Sequence, residues 1–178
     1  MNTQSERTAA PVFEAAWAGF LIIGSAVGTL VFACATPFAA AAAVAALTLT
    51  ARAALIASLG VWLGNQAVGF LLLGYPLTPD SLAWGPVLGA STILAAAAAI
   101  QVAARFDRAD LRRWVAAFAA ALVVQQAIVL AASLIDGTAS LQIATAVSGL
   151  NALWFVGVAI IHRLVVGVVA RVEPVPIR

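Results

Sequence analysis

The chain has 178 residues, 64% of them hydrophobic and only 9% charged, with a formal net charge of +2. Ordinary soluble domains run at roughly half and a quarter, so a water-soluble fold of this size could not cover so much apolar surface and the lipid bilayer is the expected solvent. All nine basic residues are arginine, too few and too scattered for a nucleic-acid footprint.

In lipid the backbone must satisfy its own polar groups, in helices or in a closed barrel. The long Ala, Leu and Val runs lack strand alternation and select helices. The polar start, Met1 to Val12, carries Arg7 as its only basic residue. The apolar stretch after it is too long for a signal-peptide core and lacks a cleavage site, which makes it a retained first helix. A hydrocarbon core about 30 Å thick needs roughly 20 residues of helix, and the expected spans are 13–33, 38–49, 53–73, 81–104, 114–135 and 140–161, the last running on toward Ala170. The second is short, lies behind Pro37, and crosses only if upright or where the membrane is thin. Gly74-Tyr75-Pro76 and Asp136-Gly137 supply turns.

Short arginine-rich loops stay in the cytoplasm. Six crossings put every arginine there: Arg7 before the first span, Arg52 between the second and third, Arg105, Arg108, Arg112 and Arg113 between the fourth and fifth, and Arg163, Arg171 and Arg178 at the end. The outer loops hold only Asp80 and Asp136. The expected fold is therefore all-α, one six-helix transmembrane bundle over 1–178 with both termini cytoplasmic, multi-pass in a bacterial inner membrane.

No phosphate-binding glycine loop, HExxH or CxxC is present, and no catalytic residue is assigned. His162, the single histidine, has no neighbouring metal-ligand partner in sequence. The single cysteine, Cys34, cannot form an internal disulfide. More informative are polar residues inside the spans, which face the bundle or a cavity because lipid excludes them. Asn65 and Gln66 stand about 20 Å up the third helix, with Gln125 and Gln126 at a similar height, Asn151 near mid-membrane, and Ser25 and Thr29 in the outer half of the first helix. They either line a pocket open to the outside or bridge helices.

The expected pocket lies in the outer half between helices one, three, five and six, under the loop from Gly74 to Ser81. Asn65 bonds the ligand, Gly69 lets it approach the backbone, Gln66 holds a neighbouring helix, and Tyr75 and Trp84 supply apolar contact. Small residues spaced by four, Ala15 with Gly19 and Gly24 with Gly28, offer either internal packing or a docking stripe for a partner.

From Trp62 to Gly89 the sequence reads WLGNQAVGFLLLGYPLTPDSLAWGPVLG. Asn65-Gln66, Gly69-Phe70, Tyr75-Pro76 and Trp84-Gly85 in it resemble the BtuM family of cobalamin transporters, small membrane proteins related to the S components of energy-coupling factor (ECF) transporters. The resemblance covers under a fifth of the chain, alongside a similar length and topology. It implies a binding subunit for vitamin uptake, with cobalamin or a related corrinoid as the transported ligand and no permanently bound cofactor. It also implies an ECF transmembrane coupling protein and ATPases as partners, docked through small residues of the first helix, where Ala15 and Gly19 stand. The family is associated with a cysteine ligand to cobalt. The loop from Gly74 to Ser81 has none, which leaves Cys34 as the candidate metal ligand. The alternatives are a membrane scaffold or assembly protein and a small exporter, the latter disfavoured because no ring of charge lines a span.

Overall fold

The computed structural model describes residues 3–32, 36–108 and 110–172, with side-chain surroundings for 12–31, 36–108 and 110–169. Cys34 lies outside the described residues. The chain forms six α-helices: α1 (Thr3–Phe32), α2 (Phe38–Thr48), α3 (Ala51–Ala67, continued by a π-helical turn at Val68–Leu72), α4 (Pro79–Ala103), α5 (Leu111–Asp136) and α6 (Leu141–Val172). No strand occurs among the described residues. Five stretches are long and apolar enough to cross a membrane: Val12–Val31, Ala51–Leu72, Pro79–Ala103, Leu111–Asp136 and Leu141–Val169.

Helix α2 is the exception and the organising element. With 11 residues it is about 16 Å long, well short of a bilayer core. Alanine, the strongest helix former, fills most of it, Pro37 precedes it, and Leu49 leaves it in extended backbone. Every residue from Phe38 to Leu47 is buried. A helix that is apolar all round belongs inside a core, and α2 packs against each of the other five helices. The neighbours turn alanines toward it: Ala54 and Ala57 of α3, Ala95, Ala96, Ala99 and Ala103 of α4, Ala117 and Ala121 of α5, all buried in the same cluster. Such small side chains let helix backbones approach closely where no hydrophobic force distinguishes protein from lipid.

Short as it is, α2 reverses the chain direction. Its beginning lies beside Thr29 of α1, whose Oγ1 is 3.0 Å from Thr36 Oγ1. Its end lies beside the first half of α1, where Trp17 Nε1 donates to Thr48 Oγ1 at 2.9 Å. Helix α3 then runs parallel to α1, so a methyl at Gly60 would meet Ile22 and one at Gly64 would meet Ala26. Glu14 of α1 accepts from the Thr50 N–H at the start of α3. Helices α4, α5 and α6 alternate: Trp62 of α3 donates to the Gly85 carbonyl of α4, Arg113 of α5 to the Ala103 carbonyl of α4, and Phe118 of α5 stacks on Phe155 of α6. Trp17 meets His162 ring to ring, which brings α6 back to the level where α1 enters the bundle.

Arg52, Arg105, Arg108, Arg112, Arg113 and Arg163 all fall at the end where α1 begins and α6 finishes, here called the arginine end. His162 stands there between Trp17 and Trp114, at ring-centroid distances of 5.0 and 6.2 Å, and Arg163 lies over the Trp114 ring. Among the described residues no group of three or more His, Cys, Asp or Glu could hold a metal.

Where the helices touch, glycine sets the distance. A methyl at Gly89 of α4 would stand 2.8 Å from Trp62 Cε2, and the Trp62 ring is tethered by its 2.8 Å bond to the Gly85 carbonyl. Gly89→Ala is therefore expected to destabilise the bundle by about 1–3 kcal/mol, the usual cost of overpacking, measured by reversible unfolding in mixed micelles. Unchanged stability would mean that the α3–α4 seam repacks without strain.

Candidate ligand-binding site

The alanine stripes that face α2 continue past its first residue, and there they turn polar. On α5 the four-residue spacing carries Ala117 and Ala121 on to Gln125. On α3 the inward face passes from Ala54, Ala57 and Val61 to Asn65. The Arg113 guanidinium reaches the Leu47 carbonyl near the end of α2 at 3.5 Å. Gln125, twelve residues farther along α5, is about 18 Å higher, beyond the start of α2. A full-length second helix would fill this volume; α2 leaves it as a cavity.

The cavity measures about 460 Å³, inside the usual range for small-molecule sites of roughly 300–1,000 Å³. Its floor is Thr36 and Phe38, at the start of α2. Its walls come from α3, α4, α5 and α6, Ser81 being in the first turn of α4, and Tyr75 and Pro76 border it from the connection between α3 and α4. Phe70, Trp84, Leu88 and Val147 add apolar wall, and among the described residues none that lines it carries a formal charge. No described residue of α1, expected as a wall, lines it.

The lid is built locally. The wide turn Val68–Leu72 closes with the Leu73 N–H on the Val68 carbonyl at 3.0 Å, and π turns of this kind recur at functional sites. Gly74 takes φ 67°, a left-handed conformation that suits glycine. The chain then folds back so that the Tyr75 N–H meets the Gly69 carbonyl at 3.0 Å and the Tyr75 ring meets Phe70 edge-on at 6.0 Å. Thr78 caps α4 through Ser81. At the rim Trp84 Nε1 donates to Asp136 Oδ2 at 3.0 Å, joining α4 to α5, and Asp136 Oδ1 accepts from Thr138.

Of the residues expected in the site, Asn65, Gln66, Tyr75, Trp84 and Gln125 line the cavity. Gly69 does not: it is buried beneath the Tyr75 ring, which a methyl there would strike. Asn151 does not either. It is fully buried and its Oδ1 accepts from the Ala40 N–H at 2.9 Å, satisfying a donor of the first turn of α2 that has no partner within the helix.

Asn65, expected to bond the ligand, is also bonded within the protein. Asn65 Nδ2 donates to Thr36 Oγ1 at 2.7 Å and Thr29 Oγ1 at 3.3 Å, and its Oδ1 accepts from Gln66 Nε2 at 3.0 Å. It thus ties α3 to α1 and to the start of α2. Gln66 keeps its own carbonyl oxygen free of protein donors. Gln126 bridges α5 to α6 through the Ala144 carbonyl and Ser148 Oγ.

Gln125 is different from all of these. It is 3% exposed, it borders the cavity, and it makes no hydrogen bond to any described residue; its Oε1 is buried without a donor. A buried unpaired amide costs about 1–3 kcal/mol, and nothing in its sequence context separates it from the bridging Gln126 beside it. Phe70, from the motif, also lines the cavity, as do Ser133, Thr138 and Ser140, which went unmarked in the sequence.

The two small-residue pairs separate as well. Gly24 and Gly28 lie against the Trp154 ring of α6, which is internal packing. Ala15 is exposed, and a methyl added at Gly19 would meet nothing within 4 Å, so that pair faces away from the bundle. Compared with protein-family models, curated proteins and solved structures, the chain matches none.

Proposed function

We propose that this protein is a membrane-embedded binding subunit for uptake of a vitamin, holding it in the cavity above α2. The observation that carries the reading is the unpartnered Gln125 amide bordering a 460 Å³ cavity whose walls bear no charge. Asn65, Gln126 and Asn151 bridge helices, as the scaffold alternative requires; a pure scaffold gives no account of a cavity bordered by an unpaired carboxamide.

The arginine end then lies in the cytoplasm of a bacterial inner membrane, and the cavity opens to the outside under the Tyr75 lid. Ligand transfer inward draws its energy from partners of the ECF type, a coupling protein and ATPases, for which the outward-facing Ala15–Gly19 surface of α1 is the docking side. The resemblance to the BtuM family makes cobalamin or a related corrinoid the first ligand to test. The volume favours a second reading, a smaller vitamin held wholly within the walls, since an intact corrinoid needs the lid displaced. Cobalt ligation through Cys34 belongs to the first reading alone.

Calorimetry on purified protein with cobalamin, cobinamide, riboflavin, thiamine and pyridoxine tests both. One of them is expected to bind, and Gln125→Leu is expected to weaken it by about five- to a hundred-fold, the loss of one buried hydrogen bond. Binding by none of the five would favour the scaffold.

A further inference from the structure

On the reading of the cavity as a binding site, we propose that the ligand is recognised through N–H donors of its own, an amide or amidine edge that donates to Gln66 Oε1, and that a carboxylate is refused there. The direction of one chain of hydrogen bonds carries the assignment. Thr29 Oγ1 donates to the Ser25 carbonyl at 3.0 Å, which uses its single proton. In the 3.0 Å contact of Thr29 with Thr36, the Thr36 hydroxyl is therefore the donor. Thr36 Oγ1 is then left to accept, and Asn65 meets it at 2.7 Å through Nδ2. Asn65 Oδ1 in turn faces Gln66, which answers with Nε2 at 3.0 Å. What remains at the end of the chain is the Gln66 oxygen, an acceptor on the cavity wall with no donor among the described residues.

Hydrogen bonds in such a chain polarise one another, which strengthens the terminal acceptor. Gly85 keeps the approach to it open, since an added methyl there would stand 3.1 Å from that oxygen. Other side-chain N–H groups along the lining are already spent, Gln126 on Ala144 and Ser148 and Trp84 on Asp136. Gln125 is the buried lining amide whose Oε1 has no donor. Its own N–H pair has no protein partner, so it suits a ligand carbonyl lying next to the ligand's N–H. At the rim Asp136 is met by Trp84 and Thr138, while the arginines stand at the other end of the bundle. An anion would thus pass one carboxylate and end against an acceptor oxygen.

Four aromatic probes of similar shape read this preference without knowledge of the ligand. Benzamide and benzamidine carry N–H groups; benzoate and N,N-dimethylbenzamide carry only acceptors. Each is titrated against the full-length protein in mixed micelles, and the rise of Tm with concentration gives an apparent Kd. Benzamide and benzamidine are expected to bind about tenfold more tightly than the other two, the worth of one well-placed hydrogen bond. Tighter binding of benzamide assigns a neutral amide edge, and tighter binding of benzamidine a cationic one.

Gln66→Leu is expected to bring all four probes within about twofold of one another, and Gln66→Met gives the same reading should the leucine variant fail to fold. Equal binding of the four by unaltered protein, a preference for benzoate or N,N-dimethylbenzamide, binding by none, or a donor preference unchanged in the Gln66 variants would overturn the proposal. Because no vitamin enters these measurements, a failed vitamin screen with the donor preference intact would remove the transport reading and leave the subsite. A vitamin bound by a protein that shows no donor preference would do the reverse.

Discussion

Asn65→Leu is expected to lower the stability of the bundle and its affinity for ligand together, whereas Gln66→Leu lowers affinity alone. Asn65 is 4% exposed and its carboxamide is held by protein on both sides: Thr29 and Thr36 through Nδ2, Gln66 through Oδ1. Single side-chain hydrogen bonds between membrane helices average about 0.6 kcal/mol. Three of them, at a point where α1, α2 and α3 meet, sum to about 2 kcal/mol, softened because Thr29 and Thr36 keep each other as partners at 3.0 Å. Gln66 is half-buried and loses only its bond to Asn65, so its removal leaves the helix junction standing. Unfolding in mixed micelles and calorimetry on the same preparations separate the two effects. Full stability in Asn65→Leu with binding abolished would make Asn65 a direct ligand group and return it to the role its position in the motif suggests.

Gly69→Ala should cost binding more than stability. The added methyl runs into the Tyr75 ring, but Tyr75 sits on the 73–78 connection between α3 and α4 rather than on a helix. What is lost is the lid, because the Tyr75 N–H leaves the Gly69 carbonyl and the ring leaves both Phe70 and the cavity. Affinity is expected to fall at least tenfold, about 1.4 kcal/mol, with little change in unfolding. Gly69→Ala combined with Tyr75→Ala removes the clash without restoring the aromatic contact, and affinity is expected to stay low. Wild-type affinity in Gly69→Ala would show that the lid takes no part in holding the ligand.

The residues resembling the BtuM family thus act through one another in this structure. Gly69 lies under Tyr75, Asn65 receives Gln66, and Gly85 sits against Gln66 and accepts from Trp62. A motif read linearly as a set of ligand contacts is in three dimensions a lid and its seat. All of its members but Gly69 line the cavity.

The sequence by itself determined the solvent, the helical class and the alternation of direction, because these follow from local quantities: mean apolarity, run length and the grouping of arginines between runs. It also set the depth at which the carboxamides stand, since rise per residue is constant along a helix. It could not say which way each carboxamide turns. Gln125 and Gln126 are neighbours of one residue type, about 100° apart around the helix, and only the packing of Ala117 and Ala121 against α2 decides that Gln125 faces the axis while Gln126 faces α6. The length of α2 was legible, but its consequence was not: whether a short apolar helix thins the bilayer or hides in the core depends on five neighbours packing around it, three of them supplying alanines from distant parts of the chain. Burial of α2 in one half of the bundle is what opens the cavity in the other. That juxtaposition is a property of tertiary packing alone.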